Sequence, residues 1–334
     1  MFISNNIDTC DIVIHKKELD ILKKMSDDES IPHIIFYGPE GSGKKTIINK
    51  FMSMIYNDQL IKTNDTIYKV EKNGNNATDV IIKQSDCHIV IEPNNNNFDK
   101  YLIQDVVKEY ARRGPLNVFD KKKSFKMVLI NGVDNLSYYA QTSLRRTMEK
   151  FSGNCRFIMW CRSLSRVIEP IRSRCFCFRI QAPSDGDILE LLAKISFKES
   201  INLKLKDFTE IISRANGNIK KALWLAQFKK YGISYETSYE KSIRKITELL
   251  LSCNVSAELE IRSHIYNIMI TNISGTKIMK DIVNCIFLSK NFNEKSKLGI
   301  AEIAAKYEHN MIRGRREIIH LEAFIFGVMN ILSK

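Results

Sequence analysis

The sequence predicts an α/β domain, with a mostly parallel sheet and helices on both faces, followed by a part that contains helices alone. The apolar stretch "HIIFY" (33–37) enters a glycine-rich loop and then a helical stretch. Further apolar strands alternate with helical stretches, which is typical of a parallel sheet covered on both faces; they are predicted at 87–93, 126–131, 155–161 and 175–180. After residue 181 no further strand is predicted.

The helices are predicted from apolar spacing. The stretch 99–113 is amphipathic, and its buried side is predicted to carry Leu102, Ile103, Val106, Val107 and Tyr110. A second helix is predicted over 137–151. Residues 187–230 are helical with a turn at 214–218, and helical spacing resumes from about residue 239 to the end.

Length and composition limit the possible classes of protein. The chain has 334 residues, which exceeds a single core and predicts two or three domains. No apolar run reaches the length needed to span a bilayer, and the N-terminus lacks a secretory signal, so we expect an intracellular protein. The eight scattered cysteines predict reduced thiols. A net charge of +13 favours polyanionic partners such as nucleic acid.

The stretch "GPEGSGKKT" matches the phosphate-loop pattern G-x-x-x-x-G-K between a strand and a helix. In such a loop, backbone N–H groups and the following helix N-terminus surround the phosphates, and the lysine reaches the β- and γ-phosphates. The alternative is a glycine turn with incidental lysines. The predicted nucleotide-binding residues in this stretch are Gly38, Pro39, Glu40, Gly41, Ser42, Gly43, Lys44, Lys45 and Thr46.

The loop departs from the pattern at its last position. A serine or threonine hydroxyl normally follows the loop lysine and holds Mg²⁺. Here Lys45 occupies that position, and the hydroxyl comes one residue later, at Thr46. Because a lysine cannot coordinate a cation, the sequence predicts binding without the usual metal contact.

Three stretches together resemble the small subunits of replication factor C, the eukaryotic-type sliding-clamp loader. They are "VDNLSYYAQTSLRRTMEKFSGNCRFIMWC", "VIEPIRSRCFCFRI" and "ANGNIKKALWLAQ". The resemblance covers roughly 12–334 and is weakest at 54–85 and 230–295. The glycine loop and the stretch "AAKYEHNMIRGRREIIHLEAFIFGVMNIL" are similar to the small subunit at the end of the pentamer, which has a degenerate ATPase site.

The resemblance implies an AAA+ P-loop module over 1–181, a helical lid over 182–236 and an all-α collar for oligomerisation over 237–334. It implies ATP or ADP as the nucleotide. The implied partners are the other subunits of a heteropentamer, a PCNA-type sliding clamp and primer–template DNA, with no membrane. The expected location is the nucleus of a cellular eukaryote or the replication compartment of a virus.

Besides Lys45, the chain differs from the family at four further positions of the nucleotide site. The family's acidic pair, which holds Mg²⁺ and orients the attacking water, is replaced by Asn131 and Gly132. Asp134 is expected to cap the helix that follows. Arg162 replaces an asparagine that senses the γ-phosphate, and Lys220 replaces a lid arginine. Lys220 either contacts nucleotide more weakly or lies on a helix surface. The resemblance thus predicts a pocket that binds nucleotide without chemistry, with no metal ligands.

Arg174, in "IRSRC", is the predicted catalytic residue, acting in trans. In the family, this arginine reaches the nucleotide of the adjacent subunit and stabilises charge on the transferring phosphoryl group. Without the resemblance, two arginines before a strand would be read as a solvated turn.

The predicted DNA contacts lie on the helix 99–113. Residues spaced by four share its polar face, and family members follow the DNA backbone with such helices. The alternative is a solvated helix face with a basic loop. The predicted DNA-binding residues are Lys100, Gln104, Lys108, Arg112 and Arg113.

The leading hypothesis is therefore a clamp-loader subunit that does not catalyse hydrolysis by itself. A second hypothesis is a self-sufficient P-loop DNA-dependent ATPase or helicase-like remodeller with an unusual metal site, which Asn131 and Gly132 disfavour. A third is a scaffold that binds neither nucleotide nor DNA.

Overall fold

The computed structural model describes residues 14–28, 30–56, 62–72, 76–93, 99–112, 125–252, 257–289, 293–314 and 316–332. Within it, the chain divides into two compact units, Met1–Ile233 and Ser234–Lys334. The predicted division into three domains at residues 181 and 236 stays a prediction. Among the described helices, none is both long and apolar enough to cross a bilayer.

The first unit is built on a seven-stranded sheet with the order β2-β3-β4-β5-β6-β1-β7. Five neighbouring strands are mutually parallel: β4, β5, β6, β1 and β7. The other two, β2 and β3, form an antiparallel hairpin at one edge of the sheet. The strands are β1 (Ile34–Tyr37), β2 (Asn64–Lys72), β3 (Asn76–Gln84), β4 (His88–Ile91), β5 (Lys126–Asn131), β6 (Cys155–Cys161) and β7 (Phe176–Arg179).

The predicted fold class and all five predicted strands are confirmed, but the hairpin β2–β3 was not predicted. Its signal is weak because it forms a sheet edge with one face open to water, so apolar residues are diluted by polar ones. Ile67 and Ile81, which face each other across the hairpin, are 67% and 68% exposed.

Helices cover both faces of the sheet. Alternate side chains of a strand point to opposite faces, so Ile35 packs with one helical layer while Ile34 and Phe36 pack with the other. Among the described residues of this unit, the longer helices are Lys16–Asp27, Lys44–Ile55, the composite helix 99–112, Tyr138–Lys150, Glu169–Arg172, Asp185–Lys198, Leu205–Ala215 and Ile219–Lys230.

The composite helix 99–112, named here the basic helix, contains an unpredicted π-helical segment. It is α-helical over Asp99–Tyr101, π-helical over Leu102–Val107 and α-helical again over Lys108–Arg112. All five predicted core residues, from Leu102 to Tyr110, are buried. Residues spaced by four shift gradually around an α-helix, because an α turn contains fewer than four residues. A π turn contains more residues than an α turn, so the π-helical segment reduces this shift and keeps residues spaced by four closer to one face.

The second unit is all-helical in its described residues. Its helices are Ser238–Leu251, Glu258–Ile270, Gly275–Ser289, Glu294–Arg313 and Glu317–Leu332. They surround one apolar core, in which Ile246, Ile265, Ile282 and Phe324 are fully buried.

Candidate nucleotide site and its neighbours

The glycine loop lies at the carboxyl edge of the sheet, between the end of β1 and the helix Lys44–Ile55. A side chain at Gly38 has no space, because an added Cβ would lie 2.0 Å from the carbonyl oxygen of Ile180. Gly41 and Gly43 have φ angles of +75° and +87°, which favour glycine. The backbone therefore follows the tight path of a phosphate cradle, for which Gly38, Gly41 and Gly43 are each required.

The loop lysine points back into its own loop. Lys44 is buried, and its Nζ donates hydrogen bonds to the carbonyl oxygens of Gly38 (2.8 Å) and Pro39 (2.6 Å). Its third contact is the Oγ of Ser42, at 3.4 Å. Burial lowers the pKa of the Lys44 ammonium, and the nearby charge of Arg162 lowers it further. The ammonium is thus positioned inside the loop, where a phosphate oxygen can replace a carbonyl as acceptor.

The helix Ile219–Lys230, named here the lid helix, begins directly against the loop. The N–H of Ile219 donates to the carbonyl oxygen of Gly41 (3.0 Å), and a Cβ at Gly41 would lie 2.0 Å from the Oδ1 of Asn218. Asn218 also caps the lid helix by accepting from the N–H of Lys221. Lys220, which follows Ile219 in the lid helix, is exposed. The structure therefore brings this predicted nucleotide-binding residue to the loop.

Two residues beside the loop were missed by sequence reasoning. His15 contacts the carbonyl oxygen of Ser42 through Nε2 (3.1 Å), from just before the helix Lys16–Asp27. No sequence pattern linked this histidine to a loop 27 residues away. Asn218 carries a helix-cap signal, but that signal does not show where the helix begins in space.

At the end of β5, where an acidic pair would hold a metal, the Asn131 amide is bonded through both its polar atoms. Its Oδ1 accepts a hydrogen bond from the Nε1 of Trp160, and its Nδ2 donates to the Oε1 of Glu92, both at 2.9 Å. Gly132 follows with a φ of +76°. Lys45 and Thr46 are exposed on the helix after the loop. In the described residues, no cluster of three or more His, Cys, Asp or Glu side chains is arranged to hold a metal ion.

The expectation that Asp134 caps the following helix is wrong. Ser137 caps the helix Tyr138–Lys150, accepting from the N–H of Ala140. Asp134 instead accepts, through Oδ2, from the backbone N–H of Arg162 (3.0 Å), and thereby ties the turn after β5 to the end of β6. Its carboxylate is three residues from Asn131, and a 3-10 turn (Val133–Asn135) intervenes.

Arg162 and Glu40 form a loose ion pair above the loop. Arg162 Nη1 lies 3.6 Å from the Oε2 of Glu40, and both side chains are more than 60% exposed. An exposed pair of this kind contributes little to stability. The charge of Arg162 is therefore free to interact with an anion at the loop.

Arg174 lies at the amino ends of the parallel strands, whereas the phosphate loop lies at their carboxyl ends. It precedes β7, whose first residue Phe176 pairs with Ile34 at the start of β1, whereas the loop follows the end of β1. Its guanidinium pairs with Glu149 (2.7 Å) and donates to the carbonyl oxygen of Pro170 (2.8 Å). The side chain is 40% exposed. Arg174 is thus oriented, accessible and directed away from its own pocket.

The basic helix presents its predicted polar row partly to solvent. Lys108 and Arg112 are exposed, while Lys100 and Gln104 are half-buried. Arg113 lies outside the described residues. Lys126, the first residue of β5, is buried with its Nζ 5.0 Å from the centre of the Tyr110 ring, and so does not contribute to a basic surface.

Comparisons with known proteins cover nearly the whole chain. A family profile described as DNA polymerase III, delta subunit, matches residues 14–184, and the replication factor C subunit 3 C-terminal domain matches 239–334. A putative replication factor C small subunit of Acanthamoeba polyphaga mimivirus is 35% identical, covering 96% of this chain and 87% of that protein. Replication factor C subunit 3 of Arabidopsis thaliana is 32% identical (96% and 93%), and that of Homo sapiens is 31% identical (96% and 92%).

A solved structure gives the same fold at low sequence identity. A DNA polymerase III gamma subunit-related protein from Thermotoga maritima aligns over 95% of this chain and 97% of its own, with a TM-score of 0.50 and 13% identity. This likeness supports the predicted fold class.

Proposed function

The chain belongs to the replication factor C small-subunit family, and we propose that in a clamp loader of this kind it is a subunit that binds nucleotide without turning it over. It binds ATP or ADP, supplies Arg174 to a neighbouring subunit and helps load a PCNA-type clamp on primer–template DNA. The relatives are replication factor C subunits from a virus, a plant and an animal, so a nuclear or viral replication compartment fits the proposal. The observation that carries it is a complete phosphate cradle beside a fully bonded amide at Asn131.

Nucleotide binding is supported by the loop geometry. The glycines allow the close backbone path, and a buried ammonium at Lys44 lies at its centre. The helix N-terminus adds positive potential for phosphate. The first residue of the lid helix, Ile219, is hydrogen-bonded to Gly41 of the loop. From this position the helix can contact a bound nucleotide through Lys220.

The lack of turnover is supported by the groups at the ends of β5 and β6. Phosphoryl transfer depends on a held metal ion and an oriented water. Neither Asn131 nor Gly132 is a carboxylate, and both polar atoms of Asn131 are engaged by Glu92 and Trp160. Without the carboxylates that hold the metal ion and orient the water, most of the electrostatic stabilisation of the transition state is lost.

A role of Arg174 in trans is supported by its position. The sheet separates it from its own phosphate loop, and Glu149 orients its guanidinium. A partly exposed, oriented arginine is suited to stabilise developing charge at a second subunit's site. The surface pairing with Glu149 is weak enough to be exchanged for a phosphate.

A collar role for the second unit is supported by an apolar helix face. On Glu258–Ile270, Leu259, Tyr266 and Ile270 recur at helical spacing and are 74%, 45% and 80% exposed. An exposed apolar stripe of this kind indicates a protein contact. We assign it to another subunit of the loader.

The test of the proposal measures nucleotide binding and turnover separately. The purified chain should retain adenine nucleotide, show negligible steady-state turnover, and need little Mg²⁺ for binding. Sustained ATP turnover by the pure chain, abolished by Lys44→Ala, would establish a self-sufficient ATPase instead. A chain that binds neither nucleotide nor DNA would be a scaffold.

A further inference from the structure

Two neighbouring tyrosines begin the helix Tyr138–Lys150 with their side chains open to solvent. Tyr138 and Tyr139 are 68% and 71% exposed. Burial of aromatic rings is a large source of stability, and these rings contribute little of it to the folded chain. Their exposure therefore requires another explanation.

The two rings form an edge-to-face pair. Their centroids are 6.0 Å apart and their planes are inclined by 79°. In this arrangement the edge of one ring contacts the face of the other, which leaves further ring faces open. The pair, named here the aromatic platform, therefore presents ring faces in two different orientations.

The platform lies at the same edge of the sheet as the start of the basic helix. The parallel strands β4 and β5 are neighbours, and each is followed by a helix that runs back along the sheet. The N-termini of these two helices therefore lie side by side, and residues 99–101 contact the helix Tyr138–Lys150. Lys100 is consequently at the same end of its helix as the tyrosines.

We propose that Tyr138 and Tyr139 stack on unpaired nucleobases of the primer–template, beside phosphates contacted by the basic helix. Aromatic side chains next to a cationic surface are how proteins hold single-stranded nucleic acid without reading its sequence. This inference rests on the proposed DNA contact of the basic helix and adds to it a preference for unpaired bases.

Charge favours a nucleic acid over a protein partner at this position. The first turn of the tyrosine-bearing helix contains no acidic residue. The adjoining helix begins with Lys100 and carries Lys108 and Arg112 further along, together with the exposed Asp105 and Glu109. The positive charge beside the tyrosines therefore comes from Lys100 and from the N-termini of the two helices. Tyrosine also keeps its hydroxyl in water while its ring stacks. These features match a strand whose phosphates are anionic and whose bases are apolar.

The test compares three DNAs on the loader assembled with this chain: a blunt duplex, a duplex with a single-stranded extension, and the same duplex with abasic sites in the extension. Tyr138→Ala combined with Tyr139→Ala should bind the extended duplex roughly tenfold more weakly and the blunt duplex equally well. Phenylalanine at both positions should restore binding. Tyr231→Ala, at another exposed tyrosine (56%), should have no effect.

The outcomes separate this inference from the proposed function. With abasic extensions, the wild-type and alanine variants should bind alike, and 5-iodouracil in the extension of wild-type complexes should crosslink to Tyr138 or Tyr139. Equal loss on all three DNAs, no loss, or failure of the alanine variant to join the other subunits would overturn stacking and, in the last case, indicate a protein contact. If charge reversal on the basic helix leaves duplex binding unchanged, the underlying DNA interface itself is wrong.

Discussion

The side-chain amide of Asn131 donates a hydrogen bond to the carboxylate of Glu92, with 2.9 Å between Nδ2 and Oε1. Asn131 ends β5, and Glu92 directly follows the neighbouring parallel strand β4. The carboxylate at this edge of the sheet therefore comes just after β4, while the position on β5 that normally carries an acid holds its amide partner. Trp160 completes the chain of hydrogen bonds from β6.

Replacing Asn131 by Asp should destabilise the chain by roughly 1 kcal/mol at neutral pH, because two carboxylates would then face each other. Repulsion raises the pKa of such a pair in the folded state. The lost stability should therefore return as the pH falls through that raised pKa toward 4. Urea unfolding at several pH values measures this effect.

Glu92→Gln, added to Asn131→Asp, provides the control. The swap restores a donor–acceptor pair, so its stability should return to that of the wild type at pH 7. Equal stability of Asn131→Asp and the double variant would show that the two side chains are not coupled.

Lys44→Ala should weaken nucleotide binding by roughly 10- to 100-fold, since it removes a charged hydrogen bond to phosphate. Lys50→Ala on the same helix removes an equal charge and should leave affinity unchanged. Titration with a fluorescent adenine nucleotide, with and without Mg²⁺, measures both. An affinity that collapses on chelation of Mg²⁺ would contradict binding by the cradle alone.

Acid should destabilise the fold through two histidines, the buried His88 and the half-buried His33. Burial lowers the pKa of His33 and His88 from 6.5 to about 4, with Arg156 adding to the effect at His33. The unfolded chain then binds protons that the native chain does not, so stability is complete above 6.5 and falls as the pH drops toward 4. At pH 5 the loss should be about 2 kcal/mol per histidine. His88→Gln should flatten the pH dependence of urea unfolding; an unchanged slope would exclude His88 as a source.

The sequence predicted the strands of the parallel sheet because each is a continuous apolar run between turns, as in β5 and β6. It also predicted the glycine loop, whose pattern follows from the space that its backbone needs. The partners of Asn131 could not be predicted, since Glu92 and Trp160 come from separate strands and their meeting depends on register. Asp134 was assigned the wrong role because a local capping pattern competed with a tertiary contact to Arg162.

The π-helical segment of the basic helix could not be predicted either. A π turn differs from an α turn by about one residue, so over a segment of six residues the apolar spacing fits both kinds of helix. His15 was missed for a related reason: its contact with the loop joins elements distant in sequence. Local patterns identified the loop, and only the fold identified its neighbours.

Reversing charge at Lys108 and Arg112 should weaken DNA binding by the assembled loader without affecting its assembly. Each phosphate contact contributes about 0.9 to the slope of log K against log salt, so loss of both should reduce that slope by about 2. Lys16→Glu with Lys17→Glu changes the net charge equally on another helix and should leave the slope as in the wild type. Identical slopes for the two double variants would mean that the basic helix face is only solvated.

Arg174→Ala should leave nucleotide binding by this chain intact and slow DNA- and clamp-stimulated hydrolysis by the assembled loader. Its guanidinium lies across the sheet from the loop that holds this chain's own nucleotide. Arginine fingers contribute roughly 10³–10⁵ to the rate at the site they serve, so turnover should fall to that of the remaining sites. Arg172→Ala, at an exposed arginine two residues earlier, is the matched control.

The opposite profile is expected of Lys44→Ala, which should weaken this chain's own binding and change loader turnover only through assembly. One residue stabilises charge during a neighbour's reaction, whereas the other holds a phosphate that does not react. Glu149→Gln gives a third profile: it releases Arg174 from its ion pair and should leave binding intact while altering turnover less than Arg174→Ala. Turnover of reconstituted complexes, with assembly checked by size, measures all three. Wild-type turnover from a fully assembled Arg174→Ala complex would show that this arginine is not a finger.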